Sequence, residues 1–221
     1  RITGDAAMCG CYELKAKARE LNRHFPLLHL TPGELPHSLE MRPTDPLLMI
    51  TSSGTGYLGS KARWGLVGSF LDQPPRSPLI NLRSEGLASK PFYSKILKRS
   101  RCLIPATAFF EWQSVAGRKQ KMRISQPSGE TLMLAGIFDH HPLAGTTCAI
   151  LTTAADETVS QIHERMPLIL GREECSFWLD EHAEFPDDEF AEILQTTARH
   201  ALTIAAVIEE EPSPQLSLAF A

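Results

Sequence analysis

The stretch Cys102-Leu103-Ile104-Pro105-Ala106-Thr107-Ala108-Phe109-Phe110-Glu111-Trp112 decides the fold class. Its apolar, β-branched and aromatic residues read as strand. Runs of the same kind follow at Lys121–Gln126, Thr131–Asp139 and Thr147–Ala154, separated by turn residues such as Ala116-Gly117 and Pro127-Ser128-Gly129. Several antiparallel strands are therefore expected in the middle of the chain. Working outward, Leu47–Thr51 and Arg63–Val67 read as short strands. Leu14, Ala18, Leu21 and Phe25 recur at helical steps, with Glu13 and Lys17 one turn apart, which predicts an amphipathic helix over Tyr12 to Phe25. The prolines at 26, 32, 36, 43 and 46 predict a long irregular loop from Leu27 to Asp45. Beyond the connector Gln73–Pro78, Leu79–Arg83 opens a polar segment that leads to a helix over Pro91–Lys98. Helices over Arg172–Asp180 and Asp187–Ala198 precede a last strand, Leu202–Val207. The class is α+β with a central β core.

A chain of 221 residues, 43% of them hydrophobic, has enough apolar material for one compact domain. No apolar run approaches the ~18 residues of a membrane span, and Arg1 to Cys11 lacks the apolar core of a secretory signal, so a cytosolic or nucleoid location is expected. Five cysteines, an odd count without repeated spacing, argue against a disulfide framework and leave any important thiol to act alone. The net charge of −4 hides an asymmetry: residues 1–123 hold 19 Lys and Arg against 9 Asp and Glu, and residues 124–221 hold 3 against 17. Such a basic half suits nucleic acid, because phosphate affinity follows local clusters; attraction between two halves of one fold accounts for it equally well.

Met8-Cys9-Gly10 carries the first chemistry. With Met8 removed, Cys9 holds an α-amine (reference pKa ~8) and a thiol (~8.5), both partly reactive near neutral pH. Their matched electrophile is an aldehyde. The amine forms an imine and the thiol closes a thiazolidine, with the ~10⁵ M or greater effective molarity of an intramolecular step. A small buried cysteine in a tight turn is the plainer reading of the same residues.

Three further stretches belong with it: Pro78-Leu79-Ile80-Asn81-Leu82-Arg83-Ser84-Glu85, Ala108-Phe109-Phe110-Glu111-Trp112 and Ile162-His163-Glu164-Arg165-Met166-Pro167. In order and spacing the four resemble the SOS-response-associated peptidase (SRAP) family, from Met8 to about Ala206. The resemblance implies a single domain with a mostly antiparallel, barrel-like β core and flanking helices. It also implies a protein that senses abasic sites in single-stranded DNA and crosslinks to them through its terminal cysteine.

By resemblance the catalytic set is Cys9, Asn81, Glu111 and His163. Glu111, at the end of an apolar strand, suits a desolvated proton shuttle, or else a strand carboxylate facing solvent. His163 suits protonation of the sugar ring oxygen, or else a structural hydrogen bond. Asn81 can orient the sugar or the Cys9 amine, or cap a turn. Arg83 and Arg165 suit phosphate contacts, the alternative being surface ion pairs with Glu85 or Glu164. For DNA contacts the set is Arg42, Pro43, Trp64, Phe70, Arg83 and Arg165. Trp112 is another possible stacking surface, although core packing suits it better.

The sequence departs from the family at Cys11, where an arginine is usual, at Glu40-Met41-Arg42-Pro43, and at Phe70-Leu71, where paired tryptophans are usual. These departures are expected to weaken the grip on DNA, with Arg42 in part compensating. Residues 1–7 read as an added remnant or a leader, which would block the Cys9 amine while attached. Residues 8–207 form the domain, and 208–221 an acidic, proline-containing tether. Its end, Gln215-Leu216-Ser217-Leu218-Ala219-Phe220, resembles the peptide by which bacterial repair proteins dock on the β sliding clamp. There Gln215 would anchor while Leu216, Leu218 and Phe220 fill an apolar groove. No metal or other cofactor is expected, since Cys9 and Cys11 lack a second ligand pair; neither is a membrane, and the chain reads as a monomer. Two other functions remain open: a cysteine peptidase with Cys9 as nucleophile and His163 as base, capable of self-processing, and a non-catalytic adaptor tethered to the clamp.

Overall fold

Arg101–Ala106 is buried at every position and is the middle strand of a closed barrel. In the computed structural model, residues 10–30, 38–183, 193 and 201–208 are described. Among these the strands are β1 (Tyr12–Leu14), β2 (Leu28–Leu30), β3 (Ser38–Met41), β4 (Pro46–Ser53), β5 (Gly56–Trp64), β6 (Asn81–Arg83), β7 (Arg101–Ala106), β8 (Ala108–Val115), β9 (Arg118–Ser125), β10 (Leu132–His141), β11 (Gly145–Ala154), β12 (Arg165–Pro167) and β13 (Thr203–Ala206). The helices are α1 (Ala18–His24), α2 (Pro91–Arg99) and α3 (Arg172–Leu179).

Strands β11, β10, β7, β4 and β5 run in that order, and a parallel pairing of β11 with β5 closes the ring at Thr147↔Arg63 and Cys148↔Trp64. Ile50, Leu103, Ile104, Leu134, Ile137 and Ile150 are fully buried in it. Strands buried on both faces are continuous apolar runs rather than alternating ones. That explains why Cys102–Trp112 looks like one strand in sequence; it is two, broken at Thr107. A second, antiparallel sheet in the order β13-β9-β8-β1-β3 lies against the barrel. The β8–β9 hairpin turns on Ala116 and Gly117, both at positive φ as a two-residue type I′ turn requires. The expected α+β class with a barrel-like, mostly antiparallel β core is the observed one.

Two expectations near the start of the chain are corrected. Tyr12–Leu14 is strand, with α1 confined to Ala18–His24. Leu14 fits a helical stripe by spacing, but it is buried because β1 is hydrogen-bonded between β3 and β8, and Ala18 is exposed. The span Leu27–Asp45 is not uniformly irregular either: β2 joins β5 in parallel and β3 pairs with β1. Pairing to remote strands overrides the local proline signal. The helix expected over Asp187–Ala198 lies outside the described residues apart from Ile193.

Candidate active site

The chain enters its described part beside Glu111. Strands β1 and β8 pair as Tyr12↔Phe109 and Glu13↔Ala108, and Phe110 N–H donates to the Cys11 carbonyl at 3.0 Å. Cys11 is thereby held against Phe110, the residue before Glu111; Cys9 lies outside the described residues. Glu111 is 3% exposed and faces Met122 of β9. It shares the inward face of β8 with Phe109, while Trp112 points the other way and is 41% exposed. The reading of Trp112 as core is thereby corrected.

Asn81 heads β6, which runs parallel to β11 in the register Ile150↔Asn81. The residue before it, Ile80, accepts the indole N–H of Trp64 at 2.9 Å, and the Trp64 ring packs edge-on against Tyr12 at 5.4 Å. Trp64 therefore ties the start of β6 to β1. It is fully buried, so its expected role as a stacking surface for DNA is corrected: both its faces and its N–H are engaged inside the protein.

His163 precedes β12, on the other edge of β11 from β6, with Thr152 pairing to both Arg83 and Pro167. Its Nδ1 accepts the Arg165 N–H at 3.1 Å, which puts the proton of the neutral ring on Nε2. Arg165 is buried, not presented to solvent. Its Nη1 and Nη2 donate to the two carboxylate oxygens of Glu85 at 2.5 and 2.7 Å, and Nη2 also reaches the Thr152 carbonyl at 2.7 Å. Its expected phosphate contact is corrected accordingly. The pair is the ion pair that sequence allowed with Glu85, its arginine buried and its carboxylate part exposed, and it joins the Asn81–Glu85 stretch to the His163–Pro167 stretch. The ion pair holds the Glu85 carboxyl below the ordinary range: burial, the largest single influence, raises its pKa, but the Arg165 hydrogen bond and charge and nearby backbone donors outweigh it.

The remaining DNA candidates lie outward. Arg83 is exposed. Phe70 is 67% exposed, braced edge-on by Phe92 at 4.7 Å. Pro43 is half-buried. Arg42 is exposed, but its guanidinium meets Glu40 at 2.5 Å. Glu40 also holds Lys121, whose Nζ sits 4.3 Å from the centre of the Phe110 ring.

Sequence reasoning gave two carboxylates other roles and missed their partners. One is Glu40, paired with Lys121. The other is Glu13, buried in β1 and bonded to Arg123 at 2.7 Å, Lys15 at 2.9 Å and Thr107 at 2.9 Å. Burial pushes the Glu13 carboxyl pKa up, yet these three bonds together hold it below the ordinary value. A carboxylate between apolar strand residues, as at Tyr12-Glu13-Leu14, was the available signal.

Cys11, Cys102, Cys148 and Cys175 are free and buried. Burial raises all four thiol pKa values, that of Cys175 to about 12. None of them offers a thiolate near neutral pH.

The frame is a small α+β barrel protein whose acid, amide and imidazole come from three separate elements. A family model described as SOS response associated peptidase (SRAP) matches residues 8–210, and the chain belongs to this family. It is 33% identical over 189 residues to "Abasic site processing protein YoqW" of Bacillus subtilis (strain 168), covering 81% of this chain and 84% of that one. It is 36% identical over 162 residues to "Abasic site processing protein HMCES" of Gallus gallus, covering 60% of this chain and 48% of that one. A crystal structure of a Bacteroides thetaiotaomicron protein shares the fold, with a TM-score of 0.75 at 22% identity over 90% of this chain and 92% of the other.

Proposed function

We propose that this protein processes abasic sites in single-stranded DNA by trapping the ring-opened sugar on Cys9 as a thiazolidine, which shields the lesion during replication. The α-amine adds to the aldehyde carbon and the adduct loses water to give an imine. The thiol then adds to that carbon, and its proton ends on nitrogen, so protein and aldehyde combine with loss of one water. The observation that supports this reading is the bond from Phe110 to the Cys11 carbonyl, which brings the chain two residues after Cys9 to the strand carrying Glu111, a buried carboxylate suited to moving those protons. The printed names of the relatives support the lesion, and the burial of the four other thiols leaves the thiol chemistry to Cys9.

The amine must be free, so the reactive chain starts at Cys9. Self-processing at Met8–Cys9, with the thiol taking the acyl group from nitrogen before water releases it, would supply that terminus. Intact mass spectrometry after incubation with an abasic oligonucleotide reads both steps. The expected product is the chain from Cys9 plus the oligonucleotide minus one water, absent in Cys9→Ala. Equal crosslinking by an amine-acetylated chain rejects the reading.

The tail is assigned to clamp docking through Gln215, Leu216, Leu218 and Phe220, which lie outside the described residues. A tether raises the local concentration of the domain at replication gaps without a new contact to DNA. Deleting residues 215–221 should abolish binding to a purified β sliding clamp and leave crosslinking of free oligonucleotide unchanged. Undiminished clamp binding rejects this assignment.

A further inference from the structure

His163 Nδ1 lies 3.1 Å from the backbone nitrogen of Arg165 and 3.3 Å from the same residue's carbonyl oxygen. A neutral ring accepts the N–H at Nδ1; an imidazolium, protonated on both nitrogens, can donate to the carbonyl instead. One residue thus offers Nδ1 a partner in both charge states. Nε2 is left as the nitrogen that exchanges its proton.

The peptide that does this is clamped from two sides. The Arg165 guanidinium is gripped by both oxygens of Glu85 and by the Thr152 carbonyl. The Glu164 carbonyl accepts the Ala155 N–H at 3.0 Å. Glu85 follows β6, so the carboxylate comes from the strand that carries Asn81. Glu164 is the next residue in the chain, Asp156 and Glu157 belong to the turn before His163, and Arg83 on β6 pairs with Thr152, the β11 residue that also pairs with Pro167.

We propose that Glu85 is a positioning residue: through Arg165 it fixes the peptide that orients the His163 ring, so that Nε2 gives and recovers the proton of sugar-ring opening. This rests on the reading of the preceding subsection. In the step, Nε2–H of the imidazolium protonates O4′ as the C1′–O4′ bond breaks. The C1′ hydroxyl proton passes to solvent and leaves the aldehyde. The ring left behind keeps its other proton on Nδ1, donated to the Arg165 carbonyl, and Nε2 regains a proton from water.

The test uses the full domain starting at Cys9, with ¹⁵N-labelled histidine. In the unaltered protein the neutral His163 ring should show the Nε2–H tautomer alone. Glu85→Gln should populate both tautomers and slow crosslinking of an abasic oligonucleotide about tenfold, with unchanged affinity for the undamaged strand; Glu85→Asp should restore part of the rate. Arg165→Lys keeps the charge but loses the two-pronged grip, and should split the tautomers likewise. A single tautomer together with an unaltered rate in these variants overturns the proposal. Tautomers that split as expected in a protein that never crosslinks would support the clamp and overturn the proposed chemistry instead.

Discussion

The side chains that sequence nominates for DNA divide between a wall and a rim. Trp64 and Arg165 belong to the wall: they are buried, and their polar groups bind Ile80, Glu85 and Thr152. Arg42, Phe70 and Arg83 belong to the rim and face water. Two arginine–carboxylate pairs make the contrast sharpest. The side chain of Arg165 is 10% exposed on Glu85, whereas that of Arg42 is 68% exposed on Glu40. The two carboxylates are about equally exposed, so the difference lies in the arginines: a buried guanidinium held at several oxygens locks two chain segments, while an exposed one contributes little to stability and is free to exchange partners. The same residue type therefore does opposite work in the two places.

Trp64→Ala should break the wall most severely, costing about 3–5 kcal/mol in urea unfolding. It should leave the salt dependence of DNA binding unchanged for the folded protein. Arg165→Met removes a buried guanidinium with its hydrogen bonds to the part-exposed Glu85 and to the Thr152 carbonyl and should cost about 2 kcal/mol by the same measurement; a loss as small as that of a surface substitution would place Arg165 on the rim.

Acid should discriminate the two regions more gently. Glu13 and Glu85 have folded pKa values below the ordinary carboxylate value, so their contribution to stability is complete above the unfolded value of about 4.3 and is lost as pH falls through the folded ones. The thermal midpoint, followed by calorimetry from pH 7 to 3, should be nearly level to about pH 5 and then fall. Glu13→Gln should flatten that fall.

The rim should yield the smallest changes in stability, and they should be visible mainly in binding. Arg42→Ala should shift unfolding by less than about 0.5 kcal/mol and reduce the slope of log K against log salt for single-stranded DNA by about 0.7. Glu40→Gln, which frees Arg42 and Lys121 from their shared carboxylate, should raise that affinity a few-fold in fluorescence anisotropy. Lower affinity would mean that Glu40 holds the rim in shape rather than competing with phosphate.

Much of this division was invisible in the sequence for identifiable reasons. The strand content at Cys102–Trp112, Lys121–Gln126, Thr131–Asp139 and Thr147–Ala154 was legible because buried strands are apolar throughout. Closure of the barrel was not, since it depends on a parallel pairing of β11 with β5 between distant segments. Glu111, Asn81 and His163 could be nominated from their motifs. The support that Glu85 and Arg165 give to His163 was not legible, because an ion pair and a backbone hydrogen bond leave no spacing pattern.

The sequence by itself settled which residue types are present, where apolar runs force strands, and that the cysteines form no paired framework. Only the tertiary structure decided which arginine faces water and which is locked away. Charge is a property of the side chain, whereas its availability depends on partners from other strands: Arg165 meets Glu85 from 80 residues away, and Lys121 meets Glu40 from 81. Desolvation by those partners, not composition, separates a structural clamp from a surface free to bind.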